Sequence, residues 1–248
     1  MRILLAPSER KRSGGGGPPL DPCGLLFPSL CEVRRRLLEH YEAIRKRGDE
    51  RQLRELFGLK KEEELSRYRR LDPLASPTMK AVERYDGVAF DVLDYASLPL
   101  EAQNYIDSRL VIFSNLFGPV RADDPLPDYR LKQGSAVGAY RPERLYREEG
   151  SSLLDETARD EEILDLRAGF YDRFYKPRRP YTTLKFLKEG KSVSHWAKAY
   201  RGKVLRAAAL AGADSVEELL ALPFEDMELV EIRKRGIHTE VLLSVRPA

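Results

Sequence analysis

The chemistry this sequence offers first is capture of an anion. Between Arg109 and Gly134 the chain places Arg121, Asp123, Asp124, Asp128, Arg130 and Lys132 in one stretch that also holds Pro119, Pro125 and Pro127. A guanidinium is a planar fork that matches a carboxylate or phosphate, so Arg121 and Arg130 are the expected clamp. Asp128 or Tyr129 is the candidate proton carrier, and Lys176, further along the chain, the candidate charge stabiliser. Prolines fix φ and stiffen the loop, so charged groups there are held at low entropic cost. A bland surface loop has the same composition because it faces water.

A second group of cations is spread more widely. From Lys176 to Arg206 there are ten Lys or Arg residues against the single acid Glu189, while Asp214 to Glu228 carries six acids and no base. The basic stretch is a footprint for phosphate. Lys198, Arg201, Lys203 and Arg206 are expected to touch a DNA backbone without reading its sequence. Aromatic and basic residues interleave at Tyr171, Phe174, Tyr175 and Lys176, a pattern that suits base stacking and equally suits a buried core face.

Elements must bring these groups together. Leu110-Val111-Ile112-Phe113 has the length and composition of a buried strand, broken at Ser114-Asn115 and Gly118-Pro119. Arg2 to Ala6 reads as a first strand, ended by Pro7-Ser8 and followed by Glu9-Arg10-Lys11-Arg12, Ser13 and four glycines. That loop matches neither the G-x-x-x-x-G-K-[ST] nor the G-x-G-x-x-G pattern and reads as a flexible segment that covers a ligand. The apolar spacing predicts a helix over Ser29 to Lys46, capped by Ser29 and ended by Gly48, then short helices at Asp49–Phe57 and Lys61–Arg70.

Thr78 to Asp94 fits helix and extended chain about equally. Leu98 to Ser108 is expected to be helical and to feed the strand at Leu110. Arg144 to Glu149 reads as helical or irregular and Leu153 to Glu161 as a separate helix. Ile163 to Leu166 reads as another buried strand. Tyr181–Leu187 and Gly190–Ser194 are expected strands. A helix begins at His195, stops at Gly212 and is followed by a short one capped by Ser215, with Glu218 at capping-box spacing. Met227–Arg233 and Thr239–Val245 read as a closing hairpin on the same sheet.

The expected architecture is one α/β domain spanning 1-248, a mixed sheet flanked by helices with the helical pair at about 195-222 as an elaboration. Open sheets of this kind place ligands beyond the strand ends. Ser8, Arg10, Lys11, Ser114, Asn115, Arg121, Asp128, Tyr129, Arg130, Lys132, Lys176 and Lys198 all fall just past expected strands or on the neighbouring helix. A cleft lined by Arg121, Arg130 and Lys176 would take an anionic or nucleotide-like small molecule.

At 42% hydrophobic and 33% charged residues, with no apolar run of membrane-spanning length, the chain reads as soluble and globular. Met1 to Pro7 is too short an apolar segment for a secretory signal, so the protein is expected in the cytoplasm. Cys23 and Cys31 are the two cysteines, and a bridge between them is not expected in a reducing compartment. His40, His195 and His238 are far apart, and neither a metal nor another cofactor is expected.

Five segments in order resemble the YaaA family of bacterial peroxide-stress proteins. They are ILLAPSERKR at Ile3–Arg12, AVERYDGVAFDVLDYASL at Ala81–Leu98, LVIFSNLFGPVRADDPLPDYRLKQG at Leu110–Gly134, ILDLRAGFYDRFYKP at Ile163–Pro177, and SVSHWAKAYRGKVLRAAA at Ser192–Ala209. The resemblance implies a cytoplasmic protein required under hydrogen peroxide stress that limits intracellular iron and oxidative DNA damage. It further implies that family's α/β fold, with a helix-hairpin-helix-like element near the C-terminus and affinity for double-stranded or branched DNA. It implies no particular reaction. The chain departs from the family pattern where Glu9-Arg10-Lys11 follow Pro7-Ser8, and at Asp86-Gly87-Val88.

Overall fold

The computed structural model describes residues 1–192 and 196–246. The chain opens with β1 (Arg2–Leu5) and a short β2 (Gly17–Pro19), then α1 (Cys31–Arg47), α2 (Glu50–Phe57) and α3 (Glu62–Arg70). Next come β3 (Pro77–Lys80), α4 (Ala81–Arg84), α5 (Val88–Leu93), α6 (Leu100–Arg109), β4 (Leu110–Ser114), β5 (Gly118–Arg121) and β6 (Pro125–Leu126). The second half holds α7 (Pro142–Thr157), β7 (Ile163–Leu166), β8 (Tyr181–Lys188), β9 (Lys191–Ser192), α8 (Ala197–Ala211), α9 (Val216–Leu220), β10 (Met227–Arg235) and β11 (His238–Val245).

The main sheet is mixed, in the order β10-β11-β8-β7-β1-β4-β5, with β9 on β8. β1 lies parallel between β4 and β7, pairing Leu5 with Ile112 on one side and with Leu166 on the other. All five residues of β4 and all four of β7 are buried, as expected of strands covered on both faces. The chain leaves β1 toward β4 and, from β7, toward β8, so the direction of winding reverses between β1 and β7. Sheets of this kind open a crevice at that point, beyond the carboxyl ends of the strands.

Local chemistry explains several boundaries. Asp49 accepts from the Gln52 backbone N–H while the Gln52 side chain accepts from Asp49 N–H, a reciprocal cap that starts α2. Ser215 accepts from Glu218 N–H and starts α9. Ser29 does not cap α1: Pro28–Leu30 form a 3-10 turn, and the helix begins at Cys31 without a side-chain cap. Thr78 to Asp94 resolves into strand β3 followed by two short helices. Arg144 to Glu161 is largely one helix, α7, because Pro142 sits at its first turn and Gly150 rests against Leu30 instead of breaking it.

The helical pair is present as α8 and the five-residue α9, joined through Gly212 in the left-handed region. The expected helix start at His195 and part of the expected strand to Ser194 lie outside the described residues.

Cys23 and Cys31 are bonded to each other, contrary to the expectation from compartment, with Cα atoms 4.5 Å apart. The fold brings them together through Arg34, whose buried guanidinium donates to the carbonyls of Pro22, Leu26 and Phe27 and also to those of Phe117 and Pro119. Satisfying a buried cation with that many acceptors wraps residues 22–27 onto the start of α1. Among the described residues no helix is long and apolar enough to cross a membrane.

Candidate functional site: a cleft at the carboxyl ends of β1 and β7

The crevice at the winding reversal is a cleft of about 500 Å³. Its floor is Leu5 and Leu166, the paired last residues of β1 and β7, and its walls come from residues 6–10, the start of α5, and α8. Two glycines make the walls meet. A Cβ on Gly202 would stand 2.2 Å from the Ala89 carbonyl oxygen, so α8 lies directly against α5. A Cβ on Gly87 would stand 2.9 Å from Ser8 Oγ, so the loop after β1 closes on the same helix.

Of the residues expected to form a site, Ser8, Arg10, Arg130, Lys198 and Arg201 line this cleft. Arg10 is paired with Asp86, Nε to Oδ2 at 2.6 Å. Arg130 donates to Glu9 Oε2 at 3.0 Å and to the Phe57 carbonyl at 2.9 Å. Ser8 Oγ sits against the carbonyls of Arg10 and Asp86.

Arg201 is different. Its guanidinium is partly buried, its Nε is buried with no hydrogen-bond partner among the described residues, and burial pulls its pKa down. The acid whose field opposes that shift, Asp165, is already bound by Arg167 through Nε and Nη2, at 2.9 and 2.7 Å. Arg167 in turn donates to the carbonyls of Tyr171 and Tyr175 and lies over the Phe113 ring, which fixes the loop after β7. Exposed Lys198, one turn before Arg201 on α8, has no ion-pair partner among the described residues.

Lys11 lies in the interior beside the cleft. Its Nζ donates to the Glu9 carbonyl at 3.2 Å and stands 3.9 Å from the centre of the Tyr129 ring. Burial, and then the positive charge of Arg130, lower its pKa to about 7. Beneath it runs a chain of hydroxyls, Ser114 Oγ to Tyr129 Oη at 2.7 Å and Tyr129 Oη to Tyr85 Oη at 2.9 Å. Ser114 also accepts from the backbone N–H groups of Leu116 and Phe117. Asn115 spans the Leu131 carbonyl and the hydroxyl of Tyr171, a residue of the cleft wall.

The expected clamp does not assemble. Arg121 and Lys176 are not in the cleft with Arg130. The hairpin β4–β5 reverses the chain, so Arg121 pairs in register with Val111 on the far edge strand, and its side chain is held by Asp123. Lys176 is exposed past the turn that follows β7, in the field of Asp172. Asp128 and Tyr129 are buried and do not line the cleft: Asp128 is paired with Arg67, and burial holds the Tyr129 phenol well above its ordinary pKa. Lys132 packs over Gly58, Lys203 bonds to Asp226, and Arg206 donates to the carbonyls of Leu93 and Asp94.

Glu9 and the Asp165–Arg167 pair were not singled out from sequence, whereas Tyr171 was, as a stacking or core residue. Glu9 is the clearest omission, since its carboxylate takes both Arg130 and the backbone N–H of Gln133. The signal available was its place in the charged run directly after a first strand. Among the described residues no cluster of His, Cys, Asp and Glu is arranged to hold a metal ion.

The molecule is thus of the class of mixed α/β sheets with a cleft at the carboxyl ends of their inner strands, here lined in part by Arg10, Arg130, Lys198 and Arg201. The chain belongs to the YaaA family of peroxide stress proteins, whose model, described as peroxide stress protein YaaA, matches residues 1–232. An uncharacterised protein of Campylobacter jejuni is 42% identical over 99% of both chains. UPF0246 proteins of Corynebacterium glutamicum and Streptomyces coelicolor are 34% and 33% identical, over 90% and 91% of this chain and 91% of each of theirs.

Proposed function

We propose that this peroxide-stress family member acts in the cytoplasm by binding an anionic, nucleotide-sized molecule in the cleft between β1, β7, α5 and α8. The observation that carries this reading is Arg201. A partly buried guanidinium in the field of an acid that another arginine already binds is costly without a counter-charge, and a bound phosphate or carboxylate would supply one. Lys198 stands at the mouth to add a second charge, while Phe90 and Tyr171 offer apolar and aromatic wall to the rest of the ligand. Two other hollows, of about 550 and 610 Å³, are as large, so position and unspent charge, not size, select this one.

The test is calorimetry with AMP, ATP and inorganic pyrophosphate against the wild type and Arg201→Gln. Binding that weakens about tenfold to a hundredfold in the variant supports the reading. No binding of any of the three, or equal binding by both proteins, removes it.

A second reading, contact with DNA phosphates, is favoured by a separate observation. Lys188, Lys191 and Lys198 are partly or fully exposed at the carboxyl end of the sheet. Against it, Lys203 and Arg206 are engaged by Asp226 and by backbone carbonyls. A helix-hairpin-helix mode is the weaker route, since the turn between α8 and α9 carries Asp214, paired with Arg109, and leads to Glu217 and Glu218. Replacing Lys188, Lys191 and Lys198 together should flatten the salt dependence of duplex binding. An unchanged salt slope would remove DNA contact at this surface.

A further inference from the structure

β10 is at the end of the main sheet, hydrogen-bonded among the described residues to β11 alone. It runs nine residues, from Met227 to Arg235, with one register shift against β11 between Leu229 and Glu231, so the regular row of outward backbone donors and acceptors is the stretch from Glu231 to Arg235. Natural edges are usually blunted by charge, by proline, by a bulge or by a covering element, and here the one bulge lies before Glu231, leaving the second half of the strand regular. This one carries Leu229, Val230 and Ile232, each about half exposed, and Ile237 in the adjoining turn. Behind the edge is the apolar hollow of about 550 Å³ formed with Val216 and Leu220 of α9. The charges are of both signs and segregated, with Glu228 and Glu231 in the first half and Arg233, Lys234 and Arg235 in the second.

Such a strand is complementary to itself when reversed. We propose that β10 is the contact surface of a two-fold homodimer, in which it pairs antiparallel with β10 of a second copy. A two-fold axis perpendicular to the sheet must pass through a residue position, because paired residues point to the same face. With the axis at Glu231, the two glutamates oppose each other, which is destabilising. With the axis at Ile232, Ile232 meets Ile232 of the second copy, and Glu231 faces Arg233 of the second copy twice over. Glu231 and Arg233 already pair within one chain at 2.7 Å, so the dimer closes a ring of four alternating charges. The two isoleucines leave water in the same step.

Sedimentation equilibrium on the full chain tests this, with Glu231→Arg, Arg233→Glu and an equal mixture of the two. Both side chains are substantially exposed, so each variant is expected to fold, which circular dichroism checks. The wild type should show a monomer–dimer equilibrium, each single variant should raise the dissociation constant about tenfold or more, and the mixture should dimerise about as well as the wild type. The proposal is overturned if the wild type stays monomeric up to about 100 μM, if either variant dimerises unchanged, or if the mixture fails to recover.

Discussion

In the segment from Arg109 to Gly134 each arginine has an acid of its own: Arg109 has Asp214, Arg121 has Asp123 and Arg130 has Glu9. On the first turns of α8, Arg201 has only an acid that Arg167 already occupies, and Lys198 has none among the described residues. The first region is denser in charge and richer in proline, yet it works as scaffold. The second is a plain amphipathic helix, yet it presents the unspent cation to a cleft. Charge that is satisfied locally stiffens a structure, while charge left over points to something absent from the chain.

The widest gap between the two regions should show in stability. Tyr129→Ala removes a fully buried ring and the hydroxyl that joins Ser114 to Tyr85, and should cost about 3–5 kcal/mol in denaturant unfolding. A loss under about 1 kcal/mol would mean that this segment is not the scaffold.

Lys11 tests the border between scaffold and cleft. Its pKa of about 7 lies below the ordinary 10.5, so above pH 7 the folded protein has released a proton that the unfolded chain still holds. Stability should therefore rise by up to a few kcal/mol as pH climbs from about 7 to 10, and that rise should shrink in Lys11→Met. Matched pH profiles of Tm for the two proteins check this, and parallel curves would show that Lys11 stays charged.

At Arg201 the comparison predicts a split between two readouts. Arg201→Gln should lose about tenfold or more in nucleotide affinity while unfolding within about 1 kcal/mol of the wild type, because no internal hydrogen bond of its Nε is broken. If stability falls and affinity does not, Arg201 belongs to the scaffold. The smallest effect is expected at Arg121→Ala. This breaks a substantially exposed pair with Asp123, worth about 0–1 kcal/mol, and should leave cleft binding untouched.

Much of the sheet was legible because buried strands announce themselves. The runs at Leu110–Ser114 and Ile163–Leu166 are apolar, short and flanked by polar residues, and both form fully buried strands on either side of β1. Gly150-Ser151-Ser152 reads as a break in sequence, but a helix packed on Leu30 tolerates it, so α7 runs on. The cleft was half legible: the residues after β1 and at the start of α8 were expected near strand ends and are there. Arg121 was misplaced because spacing along a chain does not reveal that Gly118 turns the polypeptide back along β4. Arg201 was expected as one cation of a basic stretch rather than as the distinctive one, since which cations remain unpaired depends on acids brought from elsewhere, here Asp165 already taken by Arg167.

Arg34 has a consequence for how the chain tolerates change. Its one side chain grips carbonyls near its own position and others 83 and 85 positions away. The polypeptide between, from α1 to β4, is thereby a loop fastened at both ends by a single rivet. Lengthening a surface turn inside that loop costs little closure entropy, on the order of 0.6 kcal/mol for a doubling. Relatives of different length can therefore vary there while the ends stay clasped, whereas a lysine at position 34, with three donors for five acceptors, could not hold the clasp shut.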